Sequence, residues 1–409
     1  MFLLLEAFIK IALLVSGLMA AAAYLVLVER WVAAWVQDRL GPNRVGIPLT
    51  RIRLFGVGQP IADGVKFFLK EIVDPGHVDK LLYTLAPLVI FATALATYAA
   101  IPFGSVLPVG WDGAQPIRLV VAPGLNVGAV FVLAMGSIAV YGVLLGGWSS
   151  DTKYSFFGSL RSAAQLLSYE LPLGLGVLSV VLASGSLRLD AIIAQQAASG
   201  VWNVMVQPLG LAVFVVAGFA EAGRLPFDLY EAEQELVGGY HTEYSGAKLM
   251  LFLVAEYLHM ITVSVMVTIL YLGGWHLWGL TGAGEQITWP VAILRVVVLW
   301  GKVGAVIFFF MIARWSWPRF RFDQLMDLAW KVWLPLGIVN LVAVAIGVEF
   351  GGALAMALGA PRAWTPAVLG WPLLLLSWLV ATLTTPEACD NRARTEQTDV
   401  YPVEETQTR

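Results

Sequence analysis

Nine apolar runs constrain this 409-residue chain more than any other feature. A helix that crosses a lipid bilayer needs about 20 mostly apolar residues. The runs cover residues 11–28, 81–101, 127–145, 163–182, 204–220, 249–272, 291–312, 332–348 and 368–383. No water pairs with the backbone inside hydrocarbon, so a long apolar run satisfies its N–H and C=O groups as a helix. A β-barrel needs short alternating segments, and these runs do not alternate. The composition agrees, with 59% hydrophobic residues, 13% charged residues and 16 Trp. The expected fold class is all-α: a polytopic integral membrane protein with about nine transmembrane helices.

Basic residues in the connecting loops set the expected orientation. Residues 29–80, 149–162, 221–248 and 313–331 carry sixteen Lys and Arg, whereas the opposite loops carry only Arg118, Arg188 and Arg362. The first set is therefore read as cytoplasmic, with the N-terminus outside and the C-terminus inside. The first run resembles a signal peptide only superficially. Lys10 alone precedes it as a basic residue, Glu6 offsets that charge, and Arg30 follows. A retained, outside-first span fits better. The one cysteine, Cys389, lies in the polar tail, and the four histidines are scattered. The chain is thus expected to ligate no iron–sulfur cluster, flavin or metal. No nucleic-acid signature is present. Electrons, if this protein handles them, come from a cofactor elsewhere.

Residues 29–80 form the largest basic segment. Gln59-Pro60 starts a helix with Pro early, where its missing N–H does no harm. Ile61, Val65, Phe68, Leu69 and Ile72 then share one apolar face, while Asp63, Lys66, Lys70 and Glu71 lie elsewhere. This pattern predicts an amphipathic helix over 59–71, lying in the membrane interface, packed on the spans, or both. Such a helix can form a lip where a lipid-soluble ligand enters sideways.

Several charges fall inside or beside the runs. Glu6 and Lys10 are four apart and read as a helix-surface ion pair. Glu170, Glu256 and Lys302 lie at membrane depth, where ionisable groups are costly. They predict a buried polar row with carboxylates facing cations, or else structural ion pairs that fix helix packing. The densest charge lies between the fifth and sixth runs. Residues 221–243 hold Glu221, Asp228, Glu231, Glu233, Glu235 and Glu243, with Arg224 as the only fixed positive charge in that stretch. On a helix, Asp228, Glu231 and Glu235 share one face. Carboxylates that close titrate as a coupled set, which can store and pass on protons. A solvated acidic loop is the alternative. Residues 314–327 are basic and aromatic, as a positive-inside belt or as a docking surface for a soluble partner.

Several strings resemble one family. They are Glu29-Arg30, residues 37–46 from Gln37 to Gly46 including Arg39, and residues 59–64 including Asp63. Ser168-Tyr169-Glu170, Arg224-Leu225-Pro226-Phe227-Asp228, Glu231-x-Glu233-x-Glu235, Ala255-Glu256-Tyr257 and residues 318–326 complete the match. The family is the quinone-site membrane subunit, the H-type subunit of bacteria, of proton-pumping NADH:quinone oxidoreductase (respiratory complex I). The resemblance covers roughly residues 10–350 in the same order. It implies a cell inner membrane protein, inactive alone, with quinone as its bound substrate. The implied partners are peripheral-arm iron–sulfur subunits, membrane-arm proton-pumping subunits and the lipid bilayer. By the same resemblance, Glu29, Arg30, Arg39, Asp63 and Phe227 line or neighbour the quinone tunnel. Glu170, Glu221, Asp228, Glu231, Glu233, Glu235 and Glu256 form an acidic proton pathway, and Lys302 continues the polar axis.

Three departures stand out. The loop at 47–58 is about seven residues longer than in the compact family form. The familiar Thr-Glu-Gly-Glu-Ser-Glu run appears as Tyr230-Glu231-Ala232-Glu233-Gln234-Glu235. A ninth span follows the eight-span core. The expected organisation is a core over 1–350, an additional C-terminal helix over 351–385 and a polar, disordered cytoplasmic tail over 386–409. Two other readings share the buried charges. One is the matching subunit of a hydrogenase-type or other-donor relative; the other is a stand-alone ion-coupled transporter. The full basic loop and interface helix favour quinone. The transporter lacks the paired repeats and broken half-helices it calls for.

Overall fold

Helices account for nearly all the regular structure in the computed structural model, which describes residues 2–46, 56–108, 117–229, 233–278, 280–282, 288–358 and 364–384. Most of the lengthened loop, Glu231, Cys389 and the expected tail lie outside those residues.

In chain order, α1 (Phe2–Val36) leads to the short α2 (Gln59–Leu69) and then to α3 (Lys80–Thr97). A two-stranded antiparallel ribbon follows, β1 (Val106–Leu107) and β2 (Ile117–Arg118), pairing Val106 with Arg118. Next come α4 (Gly128–Ser149), α5 (Lys153–Ser184), α6 (Leu189–Ser199), α7 (Asn203–Val206) and α8 (Pro208–Glu221). The chain continues through α9 (Glu233–Leu236), a 3-10 turn at Gly239–His241, α10 (Gly246–Leu270) and α11 (Trp289–Ser316). It closes with α12 (Phe322–Asp327), a π-helical turn at Leu328–Trp333, α13 (Leu334–Glu349), α14 (Gly351–Leu358) and α15 (Thr365–Thr384).

Among the described residues, eight helical segments are long and apolar enough to cross a bilayer. They are α1, α3, α4, α5, α10, α11, the continuous segment Phe322–Glu349 and α15. The expected multi-span helical fold is present, and eight of the nine runs form single helical segments. Leu13, Leu81, Tyr141, Val297 and Leu383 are all exposed on the outside of the bundle. Apolar exposure on that scale suits lipid as the surrounding solvent.

Run five differs from its expectation. Residues 204–220 do not form one span, because the chain breaks at Gln207 between α7 and the 14-residue α8. Pro208 has no N–H and sits in the first turn of α8, where that loss is harmless. Groups around the break are tied to other elements. Val204 N–H donates to Tyr271 O at 3.0 Å, and the Asn203 amide donates to Leu270 O at 2.7 Å. Trp371 of α15 donates to Met205 O at 2.8 Å, so the ninth span docks on the break.

Helix α10 is the axis of the bundle and contacts α1, α3, α8 and α11. Its Ser264 and Thr268 hydroxyls donate to their own helix at Met260 O and Ser264 O, so burial leaves neither unsatisfied. Helix α4 meets α3 through Gly142, where a Cβ would stand 2.9 Å from Ile90 N, so only hydrogen fits. Helix α2 rests against α1 and α10 but has no buried residue. Its Ile61, Val65, Phe68 and Leu69 are exposed, as an interface helix requires, and it ends two residues earlier than the pattern predicts.

Candidate functional site

At the α2 end of the bundle, α1, α2, α10, α11 and two loops enclose a cavity of ≈ 1170 Å³. Its walls are mixed. Ala22, Ala23, Val26, Phe67, Leu253 and Val254 supply apolar surface, while Glu29, Arg30, Arg39, Asp63, Arg224, Glu256 and Arg314 supply charge. Arg30 pairs with Asp63 at 2.9 Å, tying the end of α1 to α2. Gln59 donates to the same carboxylate at 3.1 Å from one turn away. Arg39 lies in the loop after α1 and donates to Gln37 at 2.7 Å.

The inner wall is a buried charge cluster. Glu29, Arg224 and Glu256 are only 7%, 6% and 9% exposed. Arg224 lies 3.1 Å from Glu256 and 3.6 Å from Glu29, and its guanidinium stacks on the Tyr257 ring at 4.3 Å. Tyr257 donates to Glu29 at 2.6 Å, and Arg314 pairs with the other Glu29 oxygen. Two carboxylates thus face two guanidiniums. Buried pairs of this kind contribute little net stability, but removing one partner is costly, so they hold geometry. His241, in the loop before α10, also lines the cavity. Burial pushes its imidazole down to about 4, so it is neutral at pH 7.

Behind the cluster lie two small voids. The first, of ≈ 40 Å³, shares Glu256 with the large cavity and also touches Glu221, the last residue of α8. The second, of ≈ 20 Å³, lies beyond Glu221 towards Thr97 and Thr262. Glu170 of α5 accepts from Ser137 of α4.

The structure gathers only part of the sequence-expected set. Glu29, Arg30, Arg39 and Asp63 line the cavity. Phe227 does not. It is 2% exposed and packs among Tyr169, Phe219 and Phe320. Asp228 and Glu235 do not share a helical face, because Asp228 sits in the turn after α8 and Glu235 in the separate α9. Glu231 and the Glu233 side chain lie outside what the structure describes. Nor is Arg224 the only cation answering the acidic stretch. Buried Asp228 meets Arg319 at 3.3 Å, and exposed Glu235 meets Arg161 at 2.7 Å. These partners come from α5 and from the loop after α11, which spacing within the stretch could not reveal.

Lys302 also departs from its expected place. It faces no carboxylate among the described residues. Its ammonium donates to Leu272 O, Gly274 O and His276 O at 2.6, 3.0 and 2.6 Å, over the Trp202 ring. Arg295 likewise donates to Thr281 O and Gly282 O. Three contributors escaped sequence reasoning. Gln165 donates to Ala220 O and Phe227 O and so shapes the turn that presents Arg224. Arg314 read as part of a positive-inside belt or docking surface, and His241 as one of four scattered histidines. Only the fold brings them to the cavity.

A sequence profile described as NADH dehydrogenase matches residues 9–345. The chain belongs to the NADH dehydrogenase family. An H-type subunit of NADH-quinone oxidoreductase from Cytophaga hutchinsonii is 43% identical over 340 residues, covering 83% of this chain and 95% of that protein. The corresponding protein of Salinibacter ruber is 43% identical over 353 residues, covering 84% and 96%. That of Geobacter metallireducens is 46% identical over 333 residues, covering 81% and 93%. All the charged residues of the cavity and of both voids fall inside the family match. Helices α14 and α15 lie beyond it.

Proposed function

We propose that this chain is the quinone-site membrane subunit of a proton-pumping NADH:quinone oxidoreductase, inactive alone. The observation that carries the reading is the large cavity beside the exposed apolar face of α2, whose charged inner wall joins the Glu221 void through Glu256. Its volume is at or above the range of ligand cavities, about 300–1,000 Å³. The names of the relatives support the same activity.

In this reading the quinone enters from the bilayer past α2. Its tail lies on the apolar wall, and its head reaches towards Glu29, Arg30, Arg39 and Asp63. Phe227 packs among Tyr169, Phe219 and Phe320 in the turn after Arg224 and does not touch the ligand. Electrons arrive from an iron–sulfur subunit of the peripheral arm, docked on the α2 end and on residues 314–327. Two-electron reduction of a quinone takes up two protons and so draws charge into the site. Carboxylates at Glu256, Glu221, Glu170 and Asp228 answer by redistributing protons, together with Glu231, Glu233 and Glu235. Lys302 is a fixed positive charge at the far end, next to the membrane-arm pumping subunits. The α2 end faces the cytoplasm, and the N-terminus lies outside the inner membrane.

A photoreactive quinone analogue, applied to the complex that co-purifies with a tagged copy of the chain, tests this. The complex should reduce quinone with NADH, and the label should fall on peptides of α1, α2 and α10 and be displaced by excess quinone. Active complex labelled elsewhere, with no displaceable label on those helices, removes the site assignment.

A further inference from the structure

The two small voids share three lining residues: Gly136 of α4, Glu221 of α8 and His259 of α10. Among the described residues, Glu221 and His259 are the only ionisable groups common to both. Along α10, Glu256 borders the first void, His259 borders both, and Thr262 borders the second. His259 follows Glu256 by three residues, so the two share a helix face. Each void, ≈ 40 and ≈ 20 Å³, exceeds the roughly 10–15 Å³ that one water needs.

Gly136 makes the junction possible. A Cβ there would stand 2.7 Å from Glu221 Oε1, so the carboxylate is seated against a helix surface that only hydrogen leaves open. A bulkier residue would press on the carboxylate where the two voids meet.

From this geometry we infer that His259 is a proton-carrying residue, taking protons from the Glu256–Glu221 void one step deeper into the membrane. The inference rests on the proposed function. A neutral imidazole accepts a proton at one ring nitrogen and releases the proton held at the other. One proton enters from the shallower void, one leaves into the deeper void, and the ring ends neutral. No electron moves. Glu221 from α8, with Glu170 from α5 beyond it, and Glu256 with Arg224 on the cavity side are the charged groups around this step.

The test uses the whole complex in proteoliposomes, with NADH-driven quinone reduction, proton uptake and NADH oxidation by a soluble acceptor that bypasses the membrane. His259→Gln keeps size and polarity but cannot ionise, and His259→Leu removes both. Both variants should retain acceptor-linked NADH oxidation and lose coupled quinone turnover by about a hundredfold, the low end for a proton-transfer group. His259→Gln should also enlarge the solvent deuterium isotope effect. Normal turnover in His259→Gln overturns the inference, including the case where His259→Leu alone is impaired, because the ring is then only a polar filler. Glu256→Gln separates the two levels. If it is impaired while His259→Gln is normal, the proposed function stands and the relay falls; if it too is normal, both fall. Gly136→Ala changes no titratable group and should lower turnover with assembly intact. Normal turnover there overturns the link through this junction even if the His259 variants fail to assemble.

Discussion

Lys302→Met should destabilise the assembled protein before it alters proton movement. The ammonium has three N–H donors, and three carbonyls receive them at 2.6, 3.0 and 2.6 Å, with the Trp202 ring centred 4.1 Å away. Methionine matches the unbranched stem as far as the ε position, one atom short of the ammonium, and donates nothing. Each buried carbonyl left without its donor costs ~1–3 kcal/mol, and the ring contact contributes ~0.5–2 kcal/mol more. The carbonyls sit in a turn where Gly273 and Gly274 have φ +72 and +54, so part of the loss relaxes away. A net cost of ~3–5 kcal/mol is expected, as when one partner of a buried charge interaction is removed. That is roughly a thousandfold in the folded-to-unfolded ratio. Lys302→Arg should recover only part of it, because a planar guanidinium cannot direct three donors into a tripod. The assay is the yield of assembled complex and its half-inactivation temperature. A Lys302→Met complex that assembles with wild-type heat stability but fails to move protons would refute the carbonyl-clamp reasoning and make Lys302 a carrier.

Gly218→Ala places a Cβ 2.4 Å from Val263 Cγ1, so it should separate α8 from α10 at ~1–3 kcal/mol; adding Val263→Ala should restore heat stability, and failure of that rescue rejects the contact as the cause. His241 has a folded value of about 4 against an ordinary 6.5, so between those pH values the unfolded chain binds a proton that the native chain does not. Stability therefore falls as pH drops through that window, by about 1.4 kcal/mol per pH unit, and His241→Gln should flatten the loss of heat stability between pH 7 and pH 5. Equal acid sensitivity in the variant counts against it. Glu233→Gln and Glu235→Gln should impair coupled turnover while leaving assembly intact. The exposed Arg161–Glu235 pair adds less than ~1 kcal/mol, so structure should not suffer. Normal turnover in both single variants and in the double variant excludes these two from the proton set.

The parts of the fold legible in the sequence are those a single segment decides. Each long apolar run has only one way to satisfy its backbone in lipid, so eight of the nine runs appear as single helical segments. The α2 pattern was readable for the same reason, since five apolar residues on one face need no partner to be recognised. The break at Gln207–Pro208 was written in the proline, yet hydropathy alone passes over it. Which partners the groups around it found depended on Tyr271, Leu270 and Trp371, far along the chain.

Charge pairing was the least legible layer. The sequence by itself determined which carboxylates and cations exist, that most sit in or beside apolar spans, and the family to which their strings point. It could not determine who faces whom. An ion pair or a cavity wall is set by distances across helices, and helix rotation and depth follow from packing. Notches such as Gly142 and Gly218 decide that packing residue by residue. Tertiary structure alone therefore joined Glu29 to Arg224, Tyr257 and Arg314, gave Asp228 to Arg319, and withdrew Lys302 from the carboxylates. The physical reason is reach. Hydropathy and helical period act within one segment, whereas an electrostatic contact needs two segments to have already found each other.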